Sequence, residues 1–236
     1  MKNDFDRLFT VNIFKNIKYN QQKELQDIVA LAAAICETPV ALITLLDDHT
    51  NTFVAKFGVD MTAMPADSSF CRHTILQEDL MVINDTHLDA RFAQNPHVIS
   101  APAVRFYAGA ALQVNNGHRI GSLCVLDVKP KELKDTQLKT LEILSRQVTI
   151  LMEYELSQKL LKEQIEHIEH RNKTLLNISQ VQSHDFRGPV ASLLGLINII
   201  REEGYTAEKE YLVMMEEAIN VLDEKIHLIV EYTKIM

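Results

Sequence analysis

The sequence lacks tryptophan, holds only three cysteines and contains fewer basic than acidic side chains. Its 24 Lys and Arg against 32 Asp and Glu give a formal net charge of -8 at pH 7, which excludes the basic footprint of nucleic-acid binding proteins. Cys36, Cys71 and Cys124 are odd in number and without paired spacing, which argues against a disulfide framework or a zinc site. Reduced thiols favour the cytoplasm.

Long apolar segments are also absent. The longest uninterrupted apolar run, residues 28–36, is far shorter than the roughly 20 residues that cross a bilayer. Asp4 and Asp6 stand where a secretory signal carries positive charge. We therefore expect a cytoplasmic protein with no membrane span and no nucleic-acid partner.

Glycine and proline are confined to the stretch from Pro39 to Gly204, and most precede Pro130. The first half should therefore hold most of the turns. Its patterns predict an amphipathic helix and several short strands, at residues 21–36, 40–46, 52–58, 81–84, 109–114 and 120–127. We expect an α+β domain with an antiparallel sheet and flanking helices.

The second half should be almost entirely helical. A coiled-coil-like seam with polar interruptions is formed by Leu151, Leu161, Ile165, Ile168 and Leu175. Two arrangements remain open: a long parallel dimer helix, or a monomeric surface helix packed on the first domain.

The last fifty or so residues predict a helical hairpin with helices at 180–203 and 206–236, joined at Gly204. A short connection places such helices antiparallel. The second helix has an apolar face too wide for one hairpin to cover, which predicts a four-helix bundle on dimerisation.

The segment 183–190 weakens an otherwise strong helix. Pro189 costs a helix interior roughly 3 kcal/mol, and Gly188 adds up to roughly 1 kcal/mol. Such a local conflict often marks a working site.

An imidazole that accepts a phosphoryl group needs one unprotonated ring nitrogen, while a hydrogen-bond acceptor binds the N–H of the other ring nitrogen. Asp185 could hold the far nitrogen of His184, and Arg187 could anchor the acid or a phosphate.

This segment resembles the H-box of the histidine-kinase dimerisation and phosphoacceptor domain, which reads His, acid, any, Arg, any, Pro. His184, Asp185, Arg187 and Pro189 match all four fixed positions. The resemblance implies that His184 accepts the γ-phosphoryl group of ATP and passes it to an aspartate of a response regulator receiver domain. Many proteins with this domain carry threonine or asparagine where this chain has Gly188. The resemblance therefore does not imply phosphatase activity towards a response regulator.

His167 and His170 are spaced three residues apart, a spacing that can hold a metal. No cysteine and no further histidine stands close to them in the sequence. We expect them to be solvated helix residues, and we expect no metal site.

From about Leu8 to about Leu156 the chain resembles a GAF domain, a likeness carried by the segments TPVALI, SFC, DARF, RFYAG and IGSLCVLD. The resemblance implies a small-molecule site between the sheet and the connecting helices. Its candidate lining is Phe70, Cys71, His73, Phe106 and Tyr107. The alternative is that these residues simply fill the core. Although Cys71 lies near His73, the surrounding sequence does not match the phytochrome attachment motif, so we expect no chromophore.

The sequence has no Walker-type phosphate loop, and we expect no ATP-binding domain in this chain. ATP and Mg would come with a separate catalytic domain, so we expect no cofactor in this chain and no phosphate transfer by it alone. The expected organisation is an N-terminal arm (1–20), a GAF sensor domain (21–155), a signalling helix (156–179) and the phosphoacceptor hairpin (180–236).

The expected assembly is a homodimer. The chain is expected to be either a piece of a longer kinase or a phosphotransfer protein that relies on another chain for ATP. The alternative function is a non-catalytic GAF and coiled-coil module, used for dimerisation or ligand binding, with an idle histidine.

Overall fold

The structure is a computed structural model of the 236-residue chain. It describes the backbone of residues 2–17, 22–78 and 80–234, and the side chains of residues 4–17, 23–78, 80–174 and 186–228. The chain divides into two compact units, Met1–Lys162 and Glu163–Met236.

The helices and strands follow one another in a mixed order. The helices are α1 (Lys2–Lys15), α2 (Gln22–Cys36), α3 (Cys71–Thr74), α4 (Pro96–Ile99), α5 (Asp135–Glu202) and α6 (Lys209–Lys234). The strands are β1 (Val40–Leu46), β2 (Thr50–Phe57), β3 (Ala63–Pro65), β4 (Met81–Ile83), β5 (Phe106–Gln113) and β6 (Arg119–Asp127).

The six strands form one sheet in the order β3-β2-β1-β6-β5-β4. Every pairing between neighbours is antiparallel, which confirms the expected α+β class with an antiparallel sheet. β1 is buried along almost its whole length, because both faces of the sheet are covered.

The two faces of the sheet carry separate apolar cores. On the first, which we call the helical face, side chains of α1, α2 and the start of α5 pack on residues such as Ile43, Phe106 and Leu123. On the second, the loop face, α3 and the segments around it pack on Leu42, Tyr107 and Cys124. Successive residues of a strand point to opposite faces, so neighbours in sequence belong to different cores.

The segment expected to be an N-terminal arm contains the helix α1. Val11 and Phe14 of this helix are buried in the core of the helical face. Their spacing of three residues places them on one side of the helix, and the segment is therefore part of the first unit.

α5 is a single helix of 68 residues that includes Pro189. The sequence predicted separate elements at 156–179 and 180–203, but the backbone continues as a helix through both. It ends beside Gly204 and Tyr205, whose φ angles are +69° and +66°. A residue with positive φ is a common helix stop, and glycine accepts this conformation without strain.

Among the residues that the structure describes, no helix is both long enough and apolar enough to cross a membrane.

Candidate functional site

The first candidate site is an aromatic cluster on the loop face of the sheet. The ring of Phe70 stacks on that of Tyr107 with centroids 5.1 Å apart and planes 20° apart. Phe92 lies against Phe70 at 4.8 Å. The ring of His73 meets Phe92 edge-on, at 4.8 Å and 77°. Offset and edge-to-face geometries are the favourable ones for aromatic pairs.

Arg91 lies at the side of this cluster. Its guanidinium carbon is 5.1 Å from the centre of the Phe92 ring, within range of a cation–π contact. The same guanidinium donates two hydrogen bonds to Asp89, at 3.0 and 2.5 Å. The hydrogen bond from Arg91 lowers the pKa of the Asp89 carboxyl. Asp89 thereby fixes the cation beside the ring.

Polar atoms join the cluster to α3. The Tyr107 hydroxyl is 2.6 Å from the Thr74 hydroxyl, and it donates to the sulfur of Cys71 at 3.8 Å. Burial is the main cause that raises the pKa of Tyr107, so this phenol stays protonated. It can therefore act as a hydrogen-bond donor in the core.

Four of the five candidate ligand-binding residues come together on this face: Phe70, Cys71, His73 and Tyr107. Phe106 does not join them, because it points from β5 into the core of the helical face. Phe92 belongs to the cluster but was not among the candidates. The DARF segment that contains Phe92 contributed to the resemblance to a GAF domain, but nothing in its sequence predicted a ligand-binding residue.

The cluster is filled by its own side chains. Phe70 and Cys71 are each 3% exposed and Tyr107 is fully buried, whereas His73 is partly exposed. Burial, followed by the charges of Arg91 and Arg72, lowers the pKa of His73. A ligand that entered between these rings would have to displace side chains, and His73 marks the side from which it could enter.

The second candidate site is the proline-containing segment of α5. The backbone is helical throughout residues 184–189, but the side chains of His184 and Asp185 lie outside the described residues. Arg187 is exposed and Pro189 is half-buried. A Cβ atom added at Gly188 would meet nothing within 4 Å. The surface at residues 187 and 188 is therefore open.

Two stripes run along each helix of the second unit. The inner stripe is buried or half-buried and consists of Phe186, Pro189, Leu193, Leu196 and Ile200 on α5 with Tyr211, Met215, Ala218 and Leu222 on α6. The outer stripe is exposed although apolar, and it consists of Val190, Leu194 and Ile197 on α5 with Leu212, Ile219 and Ile226 on α6. The side chains of Ile229 and Val230, further along α6, lie outside the described residues.

The predicted seam on α5 is exposed beyond the first unit's core. Leu161, Ile165 and Ile168 are each about half exposed, and Leu175 lies outside the described side chains. His167 and His170 are exposed on the same helix. Among the described residues, no group of three or more His, Cys, Asp or Glu could hold a metal ion.

Comparison with known proteins gives a family match and partial relatives. The model of the GAF domain family matches residues 20–152. A cyclic di-GMP phosphodiesterase from Pseudomonas aeruginosa is 40% identical over 124 residues, which are 52% of this chain and 21% of that protein. The chain thus corresponds to about a fifth of the length of this curated relative.

Solved structures of low sequence identity also match part of the chain. A domain attributed to a two-component sensor histidine kinase of Sinorhizobium meliloti is 14% identical with a TM-score of 0.48, over 60% of this chain and 97% of that chain. The free methionine-R-sulfoxide reductase of Neisseria meningitidis is 14% identical with a TM-score of 0.49, over 63% of this chain and 86% of that chain. The family match covers more than half of the sequence, and the chain belongs to the GAF domain family.

Proposed function

We propose that this chain is the sensor and phosphoacceptor part of a cytoplasmic two-component histidine kinase, with His184 as the phosphorylated residue. The observation that carries the proposal is the set His184, Asp185, Arg187 and Pro189, which stands on α5 at the start of a helical hairpin. A GAF domain, a common sensor module, precedes this set in the same chain.

The chemistry assigns a role to each residue. One ring nitrogen of His184 attacks the γ-phosphorus of ATP held by a separate catalytic domain. The N–P bond forms as the bond from phosphorus to the bridging oxygen breaks, and ADP leaves. Asp185 holds the other ring nitrogen and stabilises the positive ring. The exposed Arg187 pairs with the phosphoryl oxygens. An aspartate of a response regulator receiver domain then takes the phosphoryl group.

A homodimer accounts for the outer stripe of the second unit. Leu212 and Ile219 are each 54% exposed and Ile226 is 49% exposed, and they are spaced seven residues apart. Heptad spacing is typical of helices that pack in coiled coils and bundles. A second copy would cover this stripe and its counterpart on α5, which completes a four-helix bundle.

The helix α5 supplies a physical route from sensor to acceptor. Its first turns place Leu141, Val148 and Met152 in the core of the GAF domain, and residue 184 lies further along the same helix. A ligand that binds two GAF arrangements with unequal affinity would bias the packing of this helix. The segment weakened by Pro189 is the part of α5 that yields most easily.

The direct test is phosphorylation in trans. The chain is incubated with a separately supplied ATP-binding domain of a histidine kinase, magnesium and labelled ATP. We expect an acid-labile label that His184→Gln abolishes. The matched control is His167→Gln, which removes an exposed histidine of the same helix and should leave the label unchanged. Label that persists in His184→Gln would contradict the proposal.

A second candidate function is a binding module with an idle histidine. The identity of 40% with a cyclic di-GMP phosphodiesterase favours it, because that relative's name assigns it a different activity. On this view the chain dimerises and binds a ligand, and the phosphorylation assay gives no label at residue 184.

A further inference from the structure

Exposed apolar side chains line one side of α5 within the first unit. Each of the four is between 43% and 56% exposed, and they belong to Ile143, Ile150, Tyr154 and Leu161. At 3.6 residues per turn they lie within about 40° of one another around the helix, and they follow it for roughly 27 Å. The other side of this part of α5 places Leu141, Val148 and Met152 in the core of the helical face. The exposed side chains therefore point away from the domain.

Two exposed aromatic rings on α1 carry the same character. Phe5 is 73% exposed and Phe9 is 62% exposed. They are four residues apart, so they lie on one side of the helix. Val11 and Phe14, on the other side, are buried in the core of the helical face. Phe5 and Phe9 therefore also face outward.

Hydrogen bonds tie α1 and α5 to the same turn, which joins β5 to β6. The backbone N–H of Asn115 donates to the carboxylate of Glu153 on α5 at 2.6 Å. The side-chain amide of Asn116 donates to the hydroxyl of Thr10 on α1 at 3.3 Å. The exposed residues next to Thr10 and Glu153 therefore lie at the same end of the first unit. We call the exposed set the α1–α5 patch: Phe5, Phe9, Ile143, Ile150, Tyr154 and Leu161.

The α1–α5 patch is large enough to hold a partner. An aromatic side chain can bury about 150–250 Å². At their exposed fractions Phe5, Phe9 and Tyr154 together offer on the order of 300–450 Å² per copy. This area is about half of the roughly 800 Å² that each partner buries in a stable interface, and the three aliphatic residues add to it. Exposed apolar patches of several hundred Å² mark interaction surfaces.

We propose that the α1–α5 patch is an interface with a second copy of this chain. Ile143 and Ile150 are seven residues apart, as are Tyr154 and Leu161, and such heptad spacing is typical of a helix that pairs with another helix of the same sequence. In a two-fold dimer one patch serves both partners. The patch lies on the first unit, so this interface is separate from the outer stripe of the second unit and does not depend on the role of His184.

A lipid surface is the other partner that an apolar patch can meet. Helices that lie on membranes carry Lys and Arg around their apolar side, whereas Asp4 and Asp6 flank Phe5 and Glu153 precedes Tyr154. The chain has a net charge of -8, which opposes docking on an anionic bilayer. The charges therefore favour a second copy over lipid.

Cross-linking at a single residue tests the contact in the intact chain. The three native cysteines are buried, so a short bis-maleimide reagent reacts at an added surface cysteine. We expect Tyr154→Cys to give a covalent dimer at least tenfold faster than Leu88→Cys. Leu88 is the matched control, because its apolar side chain is 86% exposed outside the patch. Equal rates in the two variants would overturn the proposal.

Charge substitutions separate this contact from the dimer of the hairpin. Phe5→Glu with Phe9→Glu should slow the cross-linking of Tyr154→Cys at least tenfold, because the two charges would have to enter an apolar contact. Leu212→Glu with Ile219→Glu, on the outer stripe of the second unit, should slow it less. Cross-linking that is lost only through Leu212→Glu and Ile219→Glu would assign the dimer to the hairpin and overturn the proposal. Neither result depends on phosphorylation, and the comparison of Tyr154→Cys with Leu88→Cys decides even if a charged variant fails to fold.

Sedimentation distinguishes the two kinds of partner. In the chain that carries Leu212→Glu and Ile219→Glu we expect a dimer, and the further changes Phe5→Glu and Phe9→Glu should raise its dissociation constant at least tenfold. We expect no pelleting of the wild type with vesicles of phosphatidylcholine and phosphatidylserine. A wild-type chain that sediments as a monomer and pellets with these vesicles would assign the α1–α5 patch to lipid and overturn the proposal.

Discussion

The hydroxyl group of Tyr107 lies 2.6 Å from the Oγ1 atom of Thr74. Both side chains are fully buried, and the bond ties α3 to β5, the strand beside the edge strand β4. The Thr74 hydroxyl keeps a second partner, the carbonyl oxygen of Phe70, at 3.4 Å. The pair therefore holds in place the short helix that carries Cys71 and His73.

Removal of the Tyr107 hydroxyl should loosen this connection. We expect Tyr107→Phe to lower the free energy of unfolding by about 1 kcal/mol, the usual net value of one buried hydrogen bond. Thr74→Val should cost a similar amount, and the double variant less than the sum, because both remove the same bond. Urea unfolding followed at the infrared sheet band reports the first unit, which holds every strand listed above. Strictly additive losses would mean that the two hydroxyls do not interact.

Gly109 is required by the position of Tyr107. A Cβ atom at residue 109 would overlap the hydroxyl and ring of Tyr107, whose side chain is locked in the core. We expect Gly109→Ala to destabilise the first unit by about 1–3 kcal/mol through overpacking. Gly117→Ala is a poor control because the φ of Gly117 is positive. Ala108→Gly serves instead, because it measures how an exchange between alanine and glycine in the same strand changes the free energy of unfolding. Tyr107→Phe should partly rescue Gly109→Ala, and a lack of rescue would place the strain elsewhere.

His73 should make the first unit less stable in mild acid. Burial and two arginine charges lower the pKa of the His73 imidazole in the folded chain below its ordinary value of 6.5. At a pH between the folded and the unfolded pKa, the unfolded chain therefore binds more protons than the folded chain. The contribution to stability is then complete above about pH 6.5 and is lost as the pH falls towards the folded value. The melting temperature of His73→Gln should change less between about pH 7.5 and pH 5.5 than that of the wild type. His49→Gln, at an exposed site, should keep the wild-type slope.

Two glycines of α5 test whether the weakened helix matters. Gly188 and Gly195 are both helical, and a Cβ atom at either would meet nothing within 4 Å. Alanine at either should therefore stabilise the helix by roughly 0.5–1 kcal/mol. If the segment around His184 must distort to be phosphorylated, Gly188→Ala should slow labelling several-fold and Gly195→Ala should not. Equal labelling rates in the two variants, measured by phosphorylation in trans, would mean that the weakened helix plays no part in the phosphorylation of His184.

The sheet could be predicted from the sequence because its long strands alternate or are continuously apolar. β1, β2 and β6 were found within two residues of their ends. β3 and α3 are three and four residues long, too short for a period to show. The predicted start of β5 fell at Gly109, so the opposite directions of Phe106 and Tyr107 could not be read from it.

The helices show where local signals compete with packing. α1 carries exposed Phe5 and Phe9 as well as buried Val11 and Phe14, so apolar residues surround the helix and hide the face that meets the core. Pro189 is a strong local signal for a helix end, yet α5 continues through it. Pro189 removes only one backbone hydrogen bond from a helix of 68 residues, so this local signal does not by itself end the helix.

The most direct measurement locates the phosphate itself. Cleavage after Lys173 and Arg187 releases a peptide, residues 174–187, in which His184 is the only histidine. After phosphorylation in trans, mass spectrometry at neutral to alkaline pH should find one phosphoryl group on this peptide, and brief acid treatment should remove it. An unmodified peptide 174–187 beside a phosphorylated peptide elsewhere, or a phosphate that survives acid, would contradict the assignment of His184 as the acceptor.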